Sequence, residues 1–253
     1  LGGQIMVDWD QVETVLLDMD GTLLDLYFDD YFWLEHVPIR YAERHGLEVE
    51  AARRQLLERY QSMEGTLDWY CLDFWSRELG MDILGLKEEV DHLISVQPYV
   101  IEFLDSARRA GKRCVLVTNA HGGSLRLKMR RTELGRRLDG LVCAHDLGLP
   151  KEDPRFWNRL QAVEPFRPDR TLLVDDSLPV LESARSYGIR YLISVSRPNT
   201  RRPEKDTGPF PRIRSFSDLL VPATPSGGVT VEASTPGGGK EPALGVPEGC
   251  HDA

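Results

Sequence analysis

Cysteine is scarce in this 253-residue chain: Cys71, Cys114, Cys143 and Cys250 lie far apart, with no Cys-x-x-Cys pair. That spacing, in a chain this long, argues against the disulfide framework of small secreted domains and reads as isolated thiols in a reducing compartment. Long apolar runs are missing too. No stretch approaches the roughly 20 apolar residues that cross a bilayer, and no basic segment leads into an apolar run near the N-terminus. A cytoplasmic protein without membrane association is therefore expected. Positive charge is outweighed, with 31 Lys and Arg against 40 Asp and Glu and a net charge of -9. Such a balance argues against broad nucleic-acid binding, which needs a positive surface facing phosphates. It leaves room for a small anion held in a local cationic pocket.

What is present is an ordinary globular composition, 41% hydrophobic and 28% charged, enough for a large core. Short β-branched apolar runs occur at Val12 to Leu17, Arg113 to Val117, Leu141 to Ala144, Thr171 to Val174 and Ile189 to Val195. Each reads as a buried strand. Between the later ones lie helical patterns: Val100, Ile101, Leu104 and Ala107, stopped by Gly111; Phe156, Trp157, Leu160 and Val163 after Asp153-Pro154; and Val180, Leu181 and Ala184, closed by Gly188. Alternating strands and helices predict an α/β fold, a Rossmann-like doubly wound parallel sheet covered on both faces. Residues 26–96 break the rhythm with aromatics and helix formers and predict a helical cap inserted after the first strand. The core is then 7–25 together with 97–220. From Val221 to the end, Pro, Gly, Ser and Thr dominate, and a disordered tail over 221–253 is expected.

The chemistry concentrates at strand ends. Asp18-Met19-Asp20-Gly21-Thr22 places two carboxylates, one residue apart, at the end of the first strand. Close anions repel unless a cation or proton lies between them, and a hard divalent ion such as Mg2+ suits a site of few carboxylates plus a phosphate. Thr118 and Asn119 end the second strand, Lys151 follows the third, and Asp175-Asp176 end the fourth. If the chain winds outward through strands two and three and returns for four and five, then strands four, one and two are neighbours. These groups then meet at the carboxyl edge beside the topological switch point.

In sequence, DMDGTLLD, VLVTNA, GLPKEDPRFW and LLVDDS resemble the four motifs of the haloacid dehalogenase-like superfamily, in its phosphatase branch. Two positions depart from the commonest pattern: Glu152 stands where proline often follows the lysine, and Asp-Asp replaces Gly-Asp. The strings DLYFDDYFW, LDWYCLDFW and TNAH are further similar to the bacterial GMP/IMP nucleotidases of that superfamily, over about Val7 to Leu220.

The resemblance implies a phosphomonoester hydrolase with Mg2+ as cofactor and an aspartyl-phosphate intermediate. Asp18 is the expected nucleophile, its ordinarily low pKa sparing it an activating base. Asp20 is the expected acid and base. Thr118, Asn119 and Lys151 are expected to hold the phosphoryl group. Asp18, the Asp20 carbonyl and Asp176 are expected around the metal, with Asp175 one layer behind. The expected partner is a small phosphorylated metabolite, most specifically a purine nucleoside 5′-monophosphate. A phosphosugar or similar metabolite is the alternative substrate, and a non-catalytic phosphometabolite-binding module is a third reading. Haloacid dehalogenation fits poorly, because carbon–halogen hydrolysis does not use Asp20.

Three weaker signals remain. Phe28, Tyr31, Phe32, Trp33, Trp69, Tyr70 and Trp75 read mainly as packing of the cap, with one or two turned to substrate. His121 is a substrate contact or a helix start. Arg126, Lys128, Arg130, Arg131, Arg136 and Arg137 read most simply as a solvated helix face.

Overall fold

The computed structural model describes residues 7–222. Its strands and helices follow in the order β1 (Thr14–Leu17), α1 (Tyr27–Tyr31), α2 (Val37–His45), α3 (Val49–Met63), α4 (Leu72–Leu79), α5 (Ile83–Glu89) and α6 (Val100–Arg109). Then come β2 (Arg113–Thr118), α7 (Gly122–Thr132), β3 (Gly140–Cys143), α8 (Ala144–Leu147), α9 (Pro154–Val163), β4 (Thr171–Asp175), α10 (Leu178–Tyr187), β5 (Tyr191–Val195) and β6 (Arg212–Ile213). The sheet runs β3-β2-β1-β4-β5-β6, and every adjacent pair is parallel. This is the doubly wound order expected from the alternating pattern, with one strand added at the edge. Strand β6 is only two residues long, too short to carry a period-two signal. Strand β3 ends one residue earlier than its apolar run, because Ala144 already begins α8.

Side chains alternate across the sheet. Val15, Leu17, Leu116, Leu172 and Val174 join one apolar cluster with Phe103 and Leu104 of α6 and Leu125 and Leu127 of α7. Leu16, Val115, Val117 and Leu173 face the other way, onto Phe156, Trp157 and Leu160 of α9 and Val180 and Leu181 of α10. Helix α9 begins as its sequence dictates: Pro154 occupies the first turn, and the Asp153 carboxylate accepts the Arg155 N–H at 2.9 Å.

The segment from α1 to α5 contains helices and short turns. Its first helix passes through a π-helical turn, Phe32–His36, before α2. Pro38 sits at the start of α2; it lacks an N–H and its ring crowds the carbonyl a turn earlier, which widens the helix there. At the other end, the chain returns over α6. Phe216 and Leu219 are buried, Phe216 lies 5.1 Å from Phe103 between ring centroids, and the Val221 N–H donates to Ser106 Oγ at 3.1 Å. Val221, the first residue assigned to the tail, is thus packed on the core; the tail from residue 223 onward lies outside the described residues. Among the described residues no helix is long and apolar enough to cross a membrane.

Candidate active site

Parallel strands place their C-terminal ends along one edge. Leu17 is in register with Leu116 of β2 and with Val174 of β4, so the residues that follow these partners emerge side by side. Asp18, Asp20, Thr118, Asn119, Lys151, Asp175 and Asp176 line one cleft of about 100 Å3. The four segments singled out in the sequence converge there.

Lys151 is the centre of charge. Its ammonium is buried and donates to Asp18 Oδ1 at 2.5 Å, to Asp175 Oδ2 at 2.7 Å and to the Val117 carbonyl at 3.1 Å. Burial disfavours the charged lysine, but the Asp175 and Asp18 carboxylates outweigh it and hold the ammonium well above its ordinary range. Asp175 is fixed further by the Ser177 N–H, 2.8 Å from Oδ1. Carboxylate oxygens of Asp18, Asp175 and Asp176 all lie within 4.8 Å of one another. Hard oxygen donors on three strand-anchored carboxylates fit a divalent cation such as Mg2+.

Burial dominates the acidity of Asp18. It pushes the carboxyl up to about 6; Lys151 opposes that rise and Asp175 adds to it. In the metal-free protein, dry surroundings and a neighbouring acid thus work against the low pKa expected of the residue type. A cation held by the cluster would favour the ionised form again. The sign for stability follows from the raised values. Without metal, Asp18 and Asp20 contribute most below the unfolded value of 3.8, and that contribution is lost as the pH rises through about 6. Mg2+ held by the cluster would compete with those protons, so it is expected to raise the melting temperature by several degrees near pH 7.5 and by less than half as much near pH 5. Thermal melts with and without Mg2+ at both values test this.

Gly21 makes room for Asp176. Its φ is +88°, and a Cβ there would stand 2.9 Å from Asp176 Cγ and 3.0 Å from Pro198 Cβ. Gly21→Ala is expected to strain the turn and push Asp176 away, weakening Mg2+ affinity by roughly 10- to 100-fold. The Mg2+ concentration for half-maximal activity measures the change; an unaltered value would count against Asp176 as a ligand.

Two cations here escaped the sequence reading. Lys205 Nζ, in the loop before β6, donates to Asp176 Oδ2 at 2.9 Å. Lys128 Nζ donates to Asp20 Oδ1 and to Asp29 Oδ2, both at 2.6 Å, and its side chain is only 1% exposed. Arg126, Arg130, Arg131 and Arg136 of the basic series do face solvent, but Lys128 is the exception: it turns inward because two carboxylates meet it there. Asp29 Oδ1 accepts in turn from buried Lys87, at 2.7 Å. A relay Asp20–Lys128–Asp29–Lys87 therefore joins the cleft to the inserted helices. Burial and the Asp29 charge push Asp20 up to about 6 against the pull of Lys128. Burial would raise Asp29 as well, but Lys128 and Lys87 hold it at about 2.

Asn119 spends both ends of its amide on the Lys151 turn. Its Oδ1 accepts the Lys151 N–H at 2.9 Å, and its Nδ2 donates to Glu152 Oε2 at 2.8 Å. Tyr70 of the inserted segment donates to the other Glu152 oxygen at 2.8 Å. Glu152, the departure from proline noted above, thus ties the helical segment to the sheet edge. Thr118 Oγ1 accepts the Ala120 N–H at 3.0 Å, leaving its own hydrogen free to donate. His121 starts α7, its Nδ1 accepting the Gly123 N–H at 3.2 Å.

A family model described as haloacid dehalogenase-like hydrolase matches residues 12–188, and that span includes all seven cleft residues predicted from the sequence. The chain belongs to this family. Among curated relatives, the GMP/IMP nucleotidase YrfG of Escherichia coli strain K12 is 38% identical over 216 residues, covering 85% of this chain and 97% of its own. The (S)-2-haloacid dehalogenase 4A of Burkholderia cepacia is 24% identical over 229 residues, covering 83% and 94%. Among solved structures, a HAD phosphatase from Thermococcus onnurineus superposes with a TM-score of 0.70 at 24% identity, covering 82% of this chain and 96% of its own. This chain is therefore a haloacid dehalogenase-like hydrolase, with the strand-end carboxylates and lysine in one cleft.

Proposed function

We propose that this hydrolase releases phosphate from purine nucleoside 5′-monophosphates, GMP and IMP, in a Mg2+-dependent reaction through an aspartyl phosphate on Asp18. The observation that carries the reading is the cleft itself: Asp18 held by buried Lys151, with Asp20 beside it on a separate cation. A dehalogenase needs a nucleophilic carboxylate; a second carboxyl pushed up to about 6 by burial and by Asp29, against the pull of Lys128, suits a leaving group that must be protonated. The nucleotidase relative at 38% identity supports the substrate class.

In this reading Asp18 attacks phosphorus, its oxygen forming the new P–O bond as the ester P–O bond breaks. Asp20, pushed up to about 6, delivers its proton to the departing ribose oxygen. Asp20 then accepts a proton from the water that attacks the acyl phosphate, which frees phosphate and restores Asp18. Lys151 and the Thr118 hydroxyl face the charge on the transferring group. Asp18, Asp176 and the Asp20 carbonyl would hold Mg2+, with Asp175 steering through Lys151; when bound, the ion neutralises phosphoryl oxygens and eases approach of one anion to another. Residues 26–96 act as the cap that screens the cleft from bulk water.

The test is phosphate release from GMP, IMP, AMP, pyrimidine monophosphates and sugar phosphates, each with and without Mg2+. Preference for GMP and IMP, lost on chelation, is expected. Equal rates on sugar phosphates and purine monophosphates would remove the nucleotide assignment, and no hydrolysis of any of them would favour a binding module.

A further inference from the structure

Glu152 is the acceptor on which two parts of the molecule meet. One carboxylate oxygen accepts from Asn119 Nδ2 at the sheet edge, and the other from Tyr70 Oη of the inserted segment, each at 2.8 Å. We propose that Glu152 is a positioning residue for Lys151, and that Tyr70 of the cap acts on the reaction through it. The inference rests on the phosphatase reading above, in which Lys151 faces the transferring phosphoryl group.

A side-chain amide offers an oxygen at one end and an NH2 at the other, and its neighbours decide which way it points. Asn119 presents its oxygen to the Lys151 N–H, 2.9 Å away. Turned end for end, it would set donor against donor at Lys151 and acceptor against acceptor at Glu152. An ionised carboxylate only accepts, so Glu152 locks Asn119 in the orientation that anchors the Lys151 backbone. From that anchor the ammonium reaches Asp18 at 2.5 Å and Asp175 at 2.7 Å. Proline, which often follows the lysine in this motif, has no side-chain acceptor and could hold neither neighbour.

Tyr70 holds the other side. It stands in the connection between α3 and α4, where Leu67 packs against the apolar cluster of α9 and α10. The Trp69 carbonyl accepts from Trp75 Nε1 of α4 at 2.9 Å. The connection is thus fastened to the sheet side at Leu67 and to the cap at Trp69. Burial and the Glu152 charge hold the Tyr70 phenol well above its ordinary range, so it stays a donor. Bonds from neutral donors to a carboxylate are the stronger kind, and Glu152 is held at both oxygens. Without Tyr70, one of them is released and the lock on Asn119 loosens. Tyr70 also lines both the cleft and a larger neighbouring cavity of about 430 Å3, which Trp33 and Trp69 border as well. Direct contact with substrate is therefore the competing role, and the two roles predict different kinetics.

The experiment measures kcat and KM, with the fastest substrate of the panel above, in the wild type, Tyr70→Phe, Glu152→Ala, Glu152→Gln and the double variant Tyr70→Phe/Glu152→Ala. Glu152→Ala should lower kcat roughly 10- to 100-fold and Tyr70→Phe roughly three- to tenfold, with KM changing less. Glu152→Gln should recover most of the loss, since an amide can accept from Asn119 and donate to the Tyr70 oxygen. The double variant should match Glu152→Ala within about twofold, because Tyr70 then has nothing to act through. A Tyr70 that worked by touching substrate would raise KM and keep its effect without Glu152. Hydrogen exchange of the Lys151 amide, followed by NMR, needs no turnover. It should quicken by at least about threefold in both Glu152→Ala and Tyr70→Phe, with the β1 amides unchanged. Losses that multiply in the double variant, or a Lys151 amide as protected in Tyr70→Phe as in the wild type, would overturn the coupling and leave the phosphatase reading intact. If the wild type hydrolysed no phosphomonoester, that reading would fall, and the amide exchange would still decide the coupling.

Discussion

Asp18→Asn is expected to abolish turnover, lowering phosphate release by at least about 10^4-fold, because the proposed nucleophile is gone. The wild type, quenched during turnover, should carry the added mass of one phosphoryl group on the peptide containing Asp18, and the variant should carry none. Folding is expected to survive the change. Asparagine keeps an oxygen that can accept from Lys151, and Asp175 remains 2.7 Å from the ammonium. It also removes a buried carboxyl whose pKa is pushed up to about 6. Above that pH, ionising Asp18 in the metal-free protein opposes folding, so the variant should melt no lower than the wild type there. An inactive variant that has also unfolded would say nothing about chemistry; a folded variant with native activity would rule out the covalent route.

Lys128→Met carries the second large effect. Lys128 is the sole cation bridging Asp20 and Asp29 among the described residues, and methionine of similar length fills the space without the charge. Two carboxylates are then left facing each other with only Lys87 to offset one of them. Breaking a buried pair of this kind costs about 3–5 kcal/mol. That corresponds to a melting temperature lower by on the order of 10 °C for a domain of this size. Activity should fall as well, by roughly 10- to 100-fold, since Asp20 loses the bond that sets its position and, without the lowering pull of Lys128, holds its proton too tightly to act as a base. On the proposed mechanism, breakdown of the phosphoryl adduct, with Asp20 as its base, should slow more than formation. Lys128→Arg, which retains the charge, should recover part of both losses. A Met variant as stable and active as the wild type would show the relay to be incidental.

These two residues mark the boundary of what the sequence discloses. Asp18, Thr118, Lys151 and Asp175 were legible because each ends or follows a short apolar run, and parallel strands bring such ends together. Lys128 was not, because it sits within a basic series in which Arg126, Arg130, Arg131 and Arg136 are exposed. Its inward turn depends on Asp20 and Asp29, 108 and 99 residues away. The neighbouring Ser124, one helical turn earlier and equally buried, is the local sign that this face points inside. Lys205 lies in a run of charged residues without periodicity and meets Asp176 only through the loop's path. The aromatic strings disclosed a helical segment but not which rings would border a cavity, since that depends on how α3 and α4 pack.

The chain's return over α6 has a practical consequence for shortened versions of this protein. The family match stops at residue 188, before Lys205 and before Phe210, Ile213, Phe216, Leu219 and Val221, all of them buried. A truncation designed on that boundary would strip eight apolar side chains from the interior, Ile189, Ile193 and Val195 among them, at about 1.5–3 kcal/mol each, and would also remove the ammonium beside Asp176. A boundary that keeps these side chains lies beyond Val221, more than thirty residues past the end of the family match.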